Sequence, residues 1–583
     1  MKLSDYIAEF ISKHTKHAFV GNGGCIVHVL DSLSKLENFK IVPCQNEQGA
    51  SIAAESYSRV SDGIGLAIAT SGPGIINLFQ GIACAYYDSI PSIFLTGDVP
   101  VPHLKGEEKV RQIGFQEMDV VNMLTPITKY CVTITDPLRI RFELEKMLYI
   151  AVSGRKGPVV LDLPDDLQRA EIDPKQLERF DPPKTEFKPE NIEDGLNQTI
   201  EFIKIAERPL IIVGAGVKFG NAETLMLQFL QKSGIPYVGT WGSLDMFTKS
   251  SENYIENFGV SGNRPGNYAV QSADLIISFG SRLDTHEVGN NPDAFAPNAK
   301  KVSIDIDEHE LNKVKGIRLD RKIHCDVKIF LERLNQREIT VQDLSLWKTK
   351  IDGWLKKYPV CLPEWHNQKE FVNPYVFMDE LAKQTKKDAV VITDAGATLN
   401  WTMQGYRMRT KQKLYSAFNH SPMGYALPAS IGAQYANLES QTICISGDGG
   451  MVMNIQELET ISFHKLPIKI FIMNNREYGI IKQTQDTWLE SRHAASDESG
   501  GLGSPDFIEI AKAYKIKAIE IENHAQLSEK IQQALAFEGP ILCNVKVKSG
   551  EQIIPKLVFG KKLEELAPFI SEKELKSDLQ FSN

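Results

Sequence analysis

The segment Thr442–Asn475 reads TICISGDGGMVMNIQELETISFHKLPIKIFIMNN and contains two apolar runs on either side of a stretch with helical spacing. The runs Thr442–Ile445 and Ile468–Met473 predict two buried parallel strands. Parallel strands joined by a crossover helix place ligands beside their carboxyl ends. The sequence therefore predicts that Asp448 and Asn475 lie close together at one edge of a sheet.

A carboxylate and an amide oxygen with few other ligands nearby suit Mg²⁺, which keeps positions for phosphate and water, better than Zn²⁺. The neighbouring glycines Gly447, Gly449 and Gly450 would let backbone N–H groups approach a diphosphate at the helix start. The alternative interpretation is a tight turn followed by an unrelated Asn pair. The pattern is that of the diphosphate-binding motif of thiamine diphosphate enzymes, and the chain resembles that superfamily.

Composition limits the remaining function classes. The chain has 583 residues, 42% hydrophobic and 24% charged, with a net charge of -9, so about three or four domains and no nucleic-acid partner are expected. No apolar run reaches about 18 residues, and we expect no membrane span. The N-terminus lacks a signal-peptide core, and the eight scattered cysteines form no CxxC motif. A cytoplasmic protein with reduced thiols is therefore expected.

Strands and helices alternate in three blocks, which predicts an α/β fold with three doubly wound parallel-sheet domains. The expected segments are a pyrimidine-binding domain (1–172), a linker (173–191), a central domain (192–345), a linker (346–373), a diphosphate-binding domain (374–549) and a C-terminal tail (550–583). Within the tail, LEELAPFISEKELKSDL (563–579) is expected to form an exposed helix.

The first block contains NEQGASIAAESYSRV (46–60), in which Glu47 opens a helix of small residues just after a predicted strand. Small residues allow close packing, so the carboxylate is expected in a narrow, poorly solvated crevice. Burial would raise its pKa and suit it to share a proton with a ring nitrogen. The alternative is a glutamate stabilised by the helix dipole.

Three further segments follow in order, namely GLAIATSGPGIINLFQGIACAYYDSIPSIFLTGD (65–98), GFQEMDVVNMLTPITKY (114–130) and SGRKGPVVLDLPDDLQ (153–168). They are very similar to acetolactate synthases and their relatives, and with the later motifs the resemblance covers roughly residues 5–550. It implies that Glu47 hydrogen-bonds N1′ of the cofactor's aminopyrimidine and promotes ionisation at C2. It also implies a homodimer or homotetramer with active sites at the subunit interface, where Glu47 serves the partner chain's cofactor.

The resemblance implies the other site residues as well. The pyrimidine pocket would be walled by Gly24, Cys25, Pro73 and Asn77, and the reacting carbon would be faced by Phe115 and Gln116, with Gln116 in a catalytic role. Met423 would wedge between the cofactor rings, a role that suits a long thioether, although ordinary core packing is the alternative. The backbone of Ser421 and Met423 would contact the aminopyrimidine.

On the diphosphate side, the resemblance implies a second loop with Ala395, Ala397 and Thr398. The carbonyl of Glu477 would complete the Mg²⁺ shell formed with Asp448 and Asn475. Tyr478 and Gly479 would face the diphosphate, and Ile480 and Thr484 would lie on the acceptor side.

The central block leaves two interpretations open. Gly214-Ala215-Gly216 follows a predicted strand, and two later segments resemble the flavin-contacting parts of acetolactate synthases at Gly280, Arg282, Asp305 and Ile306. One interpretation is an FAD site. The other is a tight turn in a structural domain without flavin.

The sequence departs from acetolactate synthases at two acceptor-side positions. Those enzymes usually read FDDR where this chain has Leu283-Asp284-Thr285-His286. His286 therefore replaces an arginine, whose guanidinium is suited to carboxylate binding. They carry a Trp where this chain has Thr484. We expect a roomier acceptor site that does not require a carboxylate, as in relatives that add two carbons to keto-sugar nucleotides.

The leading hypothesis is a carboligase that decarboxylates pyruvate and transfers a two-carbon hydroxyethyl unit to an aldehyde or ketone. The alternative is an acetolactate synthase, which joins pyruvate to a 2-keto acid. A non-catalytic homologue is disfavoured because Glu47, Asp448 and Asn475 are intact. A nicotinamide dehydrogenase is disfavoured because GAGVKFG (214–220) lacks the GxGxxG spacing.

Overall fold

The computed structural model describes residues 1–61, 63–183 and 189–581, so part of the predicted first linker (184–188) lies outside the described residues. It contains three six-stranded sheets in which all paired strands are parallel, and this confirms the predicted α/β class. None of the described helices has both the length and the apolar character needed to cross a membrane. All eight cysteines are free thiols.

The N-terminal domain has the strand order β2-β1-β3-β4-β6-β5. Its strands are β1 (His17–Gly21), β2 (Lys40–Pro43), β3 (Gly65–Ala69), β4 (Ser92–Asp98), β5 (Tyr130–Thr133) and β6 (Val159–Pro164). Its helices are α1 (Leu3–Ile11), α2 (Val27–Ser34), α3 (Glu47–Val60), α4 (Pro73–Tyr87), α5 (Val120–Leu124), α6 (Ile140–Val152) and α7 (Asp165–Gln168).

The central domain has the order β12-β11-β10-β7-β8-β9. Its strands are β7 (Pro209–Val213), β8 (Tyr237–Gly239), β9 (Tyr254–Asn257), β10 (Leu275–Phe279), β11 (Lys300–Asp305) and β12 (Arg321–His324). Its helices are α8 (Pro189–Ile205), α9 (Gly216–Phe219), α10 (Glu223–Ser233), α11 (Arg264–Ser272), α12 (Thr285–Val288), α13 (Glu308–Asn312), α14 (Val327–Asn335) and α15 (Ser345–Lys357).

The C-terminal domain has the order β14-β13-β15-β16-β18-β17. Its strands are β13 (Val390–Thr393), β14 (Lys413–Tyr415), β15 (Thr442–Gly447), β16 (Lys469–Asn474), β17 (Lys517–Ile521) and β18 (Ile541–Lys546). Its helices are α16 (Pro374–Gln384), α17 (Ala397–Gly405), α18 (Ala426–Ala436), α19 (Asp448–Met453), α20 (Glu457–Phe463), α21 (Gly479–Trp488), α22 (Phe507–Ala513) and α23 (His524–Ala536).

The strands β15 and β16 are parallel neighbours, with Gly447 opposite Met473. The residues that follow them, Asp448 and Asn475, therefore leave the same edge of the sheet, as the sequence predicted. The crossover contains two short helices, α19 and α20, instead of the single predicted helix.

The N- and C-terminal domains pack on each other through α3 and α18. Small residues bring the two backbones together: Ala53 is fully buried, and a Cβ at Gly432 would lie 1.9 Å from its carbonyl oxygen. This close contact agrees with the small buried residues Ala50, Ala53 and Ala54 in the helix that Glu47 opens.

Two connecting segments differ from expectation. The predicted linker 346–373 begins inside α15, whose Trp347 and Trp354 are buried in the central core. In the tail, the expected exposed helix over 563–579 is wrong. Lys556–Leu557 (β19) pairs with Leu566–Ala567 (β20), and only Glu572–Leu579 (α24) is helical.

The physical reason is visible in the tail itself. Pro568 cannot continue a helix, while Leu563 and Leu566 are 3% and 0% exposed because they pack in the central core. Trp354 also donates its indole N–H to the carbonyl of Asp578 at 3.1 Å. Residues 557–581 are thus folded onto the central domain.

Candidate active site

Glu47 is the first residue of α3 and lies beside the carboxyl end of β1. The side chain of Asn46 caps the helix by accepting from the backbone N–H of Gln48 at 2.8 Å. Asn77 of α4 donates from Nδ2 to Oε2 of Glu47 at 2.9 Å. A Cβ at Gly21 would lie 2.1 Å from Cγ of Glu47, so only glycine leaves room there. The carboxylate is half-buried in the single chain, less enclosed than predicted.

Other predicted pyrimidine-side residues lie at the same edge. The backbone N–H of Cys25, next to Gly24, donates to Oγ1 of Thr70 at 3.3 Å. Pro73 starts α4, and a Cβ on the following Gly74 would lie 3.6 Å from Oε1 of Glu47.

The loop carrying Phe115 and Gln116 reaches this edge as well. The carbonyl of Gln116 would lie 2.9 Å from a Cβ at Gly72, which has a φ of 60°. The side chain of Phe115 is 85% exposed. The N-terminal set is therefore assembled around Glu47, with one large apolar ring facing outward.

Three oxygen atoms converge at the carboxyl ends of β15 and β16. With its carboxamide oriented to ligate a cation, Asn475 places its oxygen 3.0 Å from the carbonyl oxygen of Glu477 and 3.3 Å from Oδ1 of Asp448. An octahedral Mg²⁺ with oxygen ligands at about 2.1 Å separates adjacent ligands by about 3 Å. The three predicted residues fit a Mg²⁺ ion; without a cation, rotation of the carboxamide would replace these contacts with hydrogen bonds.

Among the described residues, no lysine, arginine or histidine side chain forms an ion pair with Asp448. Its side chain is buried, and burial raises the pKa of the carboxyl to about 6. A bound divalent ion opposes such a shift because it stabilises the carboxylate.

The loops after β13, β15 and β16 meet without space for extra side chains. A Cβ at Gly447 would lie 3.1 Å from Oγ1 of Thr398, and one at Gly449 would lie 2.3 Å from Cε1 of Tyr478 and 3.2 Å from Cε of Met423. The backbone of these glycines is therefore the surface available to a diphosphate.

The remaining diphosphate-side residues belong to the same cluster. A Cβ at Gly479 would lie 3.8 Å from that of Ala397, and one at Gly396, between Ala395 and Ala397, would lie 3.9 Å from Cγ2 of Ile480. Ser421, two residues before Met423, has a φ of 49°.

Asp394 has a role that the sequence interpretation did not single out. Its buried carboxylate accepts from the backbone N–H groups of Gly424 and Tyr425 at 3.0 and 3.3 Å, and from the hydroxyl of Ser446 at 2.8 Å. It therefore ties the Met423 loop to the Gly447–Gly450 loop. Its position directly after a predicted strand was the available signal.

The side chain of Glu477 is also held in place. Its carboxylate accepts from Lys482 at 2.8 Å, from the hydroxyl of Ser549 at 2.7 Å and from the N–H of Gly550 at 2.7 Å. These bonds occupy the side chain and leave the backbone carbonyl directed at Asp448 and Asn475. Neither Lys482 nor Ser549 was predicted.

A cavity of about 1490 Å³ lies between the three domains. Of the predicted flavin residues, Gly216, Gly280, Arg282, Asp305 and Ile306 line it. The sixth, Gly214, lies behind the wall, where a Cβ would be 2.2 Å from the carbonyl oxygen of Gly280.

His286 lines the same cavity. Its ring centroid is 4.1 Å from that of Trp241. Burial lowers the pKa of His286 although Asp284 opposes the shift, so the imidazole is neutral near neutral pH. The FDDR pattern of acetolactate synthases has a positively charged arginine at this position. His286, which replaces it, carries no charge near neutral pH.

The predicted acceptor residues are not brought together in one chain. Phe115 lies in the N-terminal domain, His286 lines the central cavity, and Thr484, whose hydroxyl donates to the carbonyl of Ile480 at 3.0 Å, is exposed on α21. Among the described residues, no hydrogen bond or ion pair joins Glu47 to Asp448 or Asn475.

Comparison with known proteins assigns the family. The chain matches the thiamine pyrophosphate enzyme N-terminal TPP binding domain over residues 1–123, the central domain over 196–334 and the C-terminal TPP binding domain over 394–545; thiamine pyrophosphate is thiamine diphosphate by another name. It is 31% identical over 553 residues to the acetolactate synthase large subunit of Porphyra purpurea (94% of this chain, 91% of the relative). It is 30% identical over 562 residues to the acetolactate synthase isozyme 1 large subunit of Escherichia coli strain K12 (96% of each chain). The chain therefore belongs to the acetolactate synthase-like family of thiamine diphosphate-dependent enzymes, which form carbon–carbon bonds.

Proposed function

We propose that this carboligase uses thiamine diphosphate and Mg²⁺ to decarboxylate pyruvate and to transfer the two-carbon unit to an aldehyde or ketone acceptor. The observation that carries the proposal is the convergence of three oxygens from Asp448, Asn475 and Glu477 beside a glycine-lined surface. The bound cofactor supplies the electron sink for decarboxylation.

The chain's own residues would bind, orient and move a proton. Asp448, Asn475 and the Glu477 carbonyl hold Mg²⁺, which screens the diphosphate charge. Asn77 occupies Oε2 of Glu47 with a hydrogen bond, so Oε1 is the atom that exchanges a proton with the aminopyrimidine nitrogen.

The active site would be completed by a second copy of the chain. Glu47 and Asp448 lie in separate domains without a mutual hydrogen bond among the described residues. Two large apolar side chains of the N-terminal domain, Ile76 (next to Asn77 in the chain) and Phe115, are 51% and 85% exposed. A homodimer or homotetramer would place Glu47 over the partner's cofactor and cover these side chains.

Complementation tests this arrangement. Glu47→Gln and Asp448→Ala chains are each expected to be inactive, whereas refolding or co-expressing them together should restore activity, because a mixed dimer has one site with both residues intact. No recovery in a verified mixed dimer would place each site within one chain.

The acceptor would be a carbonyl compound that does not depend on a carboxylate, with keto-sugar nucleotides as the candidate class. The support is the neutral imidazole of His286 in the cavity. Acetolactate synthesis is the alternative, and the names of the relatives favour it. Product analysis with pyruvate, cofactor and Mg²⁺, with and without added ketones, distinguishes the two.

The central cavity would hold FAD. Its glycine-lined wall permits close backbone approach, and Asp305, at the end of β11, stands where dinucleotide-binding folds place an acid on ribose hydroxyls. The absorption spectrum of the purified protein and its thermal shift with FAD, FMN and ADP test this. Absence of both flavin absorbance and an FAD-specific shift would favour the structural-domain alternative.

A further inference from the structure

Glu457 is a fully buried carboxylate that neither the sequence motifs nor the proposed chemistry uses. It is the first residue of α20 and is 0% exposed. Among the described residues no lysine, arginine or histidine forms an ion pair with it. Burial raises the pKa of its carboxyl, so its retention has an energetic cost that a neutral side chain would avoid.

Two of the three groups that donate to Glu457 lie in the other domain, directly before Glu47. Oε1 accepts from the backbone N–H groups of Gln45 and Asn46, both at 3.1 Å, and Oε2 accepts from the hydroxyl of Thr460 at 2.7 Å. The N–H groups of residues 45 and 46 precede the helix and have no partner within it. The carboxylate supplies that partner.

The two domains are closely packed where Glu457 meets the first turn of α3. A Cβ at Gly49, in the first turn of α3, would lie 2.4 Å from Oε1 of Glu457. The carboxylate of Glu457 therefore packs against Gly49 at the start of the helix and also accepts hydrogen bonds from the two N–H groups. Glu457 therefore contacts the chain on both sides of Glu47, at Gln45, Asn46 and Gly49.

Glu457 is connected on its other side to the diphosphate loop. It follows α19, the helix that Asp448 begins, and the intervening Asn454 donates from Nδ2 to the carbonyl of Gly424 at 2.8 Å. Gly424 is adjacent to Met423. The segment from α19 to α20 thus contains both Asp448 of the proposed metal site and Glu457, which contacts the residues before Glu47. Its Asn454 also binds the loop that contains Met423.

We propose that Glu457 is a positioning residue for the catalytic carboxylate, because it fixes the backbone of Gln45 and Asn46 and thereby ties Glu47 to the diphosphate-binding loops of its own chain. The proposal rests on the proposed function in that Glu47 is taken as the proton-transfer group. If each active site joins two chains, Glu457 connects the site that its own Asp448 builds to the site that its own Glu47 serves.

The test compares Glu457→Ala and Glu457→Gln with Ser56→Ala in the full-length protein. Ser56 lies near the other end of α3, where its buried hydroxyl donates to the carbonyl of Ala429 at 2.6 Å. Its removal loosens the same helix on the same domain without touching residues 45–47. It is the matched control for a purely structural effect.

Two measurements are made on each variant. One is hydrogen–deuterium exchange of the backbone amides in the peptide containing residues 44–48, by mass spectrometry. The other is proton exchange at C2 of bound thiamine diphosphate, alongside its Mg²⁺-dependent affinity. The amide measurement needs no cofactor, so it tests the clamp even if the wild-type protein fails to bind thiamine diphosphate, which would count against the proposed function alone.

Glu457→Ala should lose amide protection at 45 and 46 and slow C2 exchange by about tenfold to a hundredfold, while cofactor affinity stays within about twofold, since small misplacements of a reacting group have effects of this size. Glu457→Gln should fall between, because its amide oxygen still accepts. Ser56→Ala should lower the melting temperature only.

The proposal is overturned if Glu457→Ala keeps wild-type C2 exchange, or if Ser56→Ala slows it equally. Should Glu457→Ala not fold, Glu457→Gln and Thr460→Val decide on the same criteria. Thr460→Val removes the hydroxyl that holds Oε2 but leaves the carboxylate in place. Wild-type amide protection and C2 exchange in both would equally overturn the proposal.

Discussion

Asn77 and Glu47 are joined by a hydrogen bond of 2.9 Å between side chains on two different helices, α4 and α3. Both helices start beside the carboxyl ends of neighbouring strands of the N-terminal sheet, β1 and β3. The bond fixes one carboxylate oxygen and leaves the other directed away from Asn77. The side chain of Glu47 is therefore oriented by a residue of its own domain, whereas Glu457 of the C-terminal domain binds the backbone just before it.

Replacing Glu47 with Gln is expected to keep the fold and the cofactor affinity but to lower the rate of C2 proton exchange. An amide cannot cycle a proton with the ring nitrogen, and such proton transfers typically contribute about 10²–10⁴-fold. Exchange of bound cofactor in deuterated buffer, followed by NMR after acid quench, measures the rate. Exposed Glu459, replaced with Gln, is the control, and a wild-type rate in the Glu47 variant would show that the assigned role is wrong.

Replacing Asp448 with Ala is expected to abolish Mg²⁺-dependent retention of thiamine diphosphate. The variant removes one of the three converging oxygens and the only formal negative charge among them, so the cofactor affinity should fall by at least about a hundredfold, beyond what outer-shell changes cost. Tryptophan fluorescence titration with and without Mg²⁺ measures it. Glu509→Gln, on an exposed side chain of the same domain, should bind normally; unchanged affinity in Asp448→Ala would refute the metal site.

A pH dependence of stability is expected from Asp98 in the N-terminal domain. Burial and the nearby charge of Asp162 raise the pKa of Asp98 to about 8. The folded protein therefore binds this proton more tightly than the unfolded chain, and the stabilisation present in acid is lost as the pH rises through the folded pKa.

Asp98→Asn keeps a neutral side chain at every pH. Its melting temperature should depend less on pH between about pH 5 and about pH 9 than that of the wild type, with the largest gain at the alkaline end. Parallel curves for the two proteins would mean that Asp98 is not the group responsible.

Because the C-terminal tail packs on the central domain, replacing a buried leucine in it is expected to lower the stability of the protein. Leu563 is 3% exposed in the central core, so Leu563→Ala should lower the free energy of unfolding by about 2–5 kcal/mol. Thermal unfolding, compared with the exposed Leu346→Ala on α15, measures the effect. Equal melting temperatures for both variants would mean that the tail is detached in solution.

The sequence predicted the parts of the site that depend on local order along the chain. Asp448 and Asn475 directly follow neighbouring strands of one βαβ unit, and a short crossover connection places the ends of such strands at the same edge of the sheet. Met423 and Tyr478 were assigned by resemblance, and their contact with Gly449 could be checked only in three dimensions.

The parts that escaped prediction depend on contacts between distant segments. Glu457 bonds residues more than four hundred positions away, and no period or motif marks it as different from any other helix-starting glutamate. The tail was misjudged because its few leucines are buried by a domain that precedes it in the chain by two hundred residues or more. Burial of this kind depends on how whole domains pack, which single-segment patterns do not contain.

The choice of acceptor is expected to depend on His286. His286 is neutral near neutral pH because burial lowers its pKa, and it lies against Trp241 in the cavity. Arginine at this position would supply a charge-assisted bidentate partner for a carboxylate, worth about 1.5–3 kcal/mol, or about tenfold and more in preference. The wild-type protein should use neutral ketones, or a keto-sugar whose charge is remote from the carbonyl, in competition with a second pyruvate.

His286→Arg should shift the product ratio towards acetolactate by about tenfold, whereas His286→Gln, which stays neutral, should not shift it in that direction. Product ratios at equal acceptor concentrations measure both effects. If acetolactate dominates in the wild type and His286→Gln lowers its share, the imidazole itself binds the acceptor carboxylate, and acetolactate synthesis becomes the better assignment.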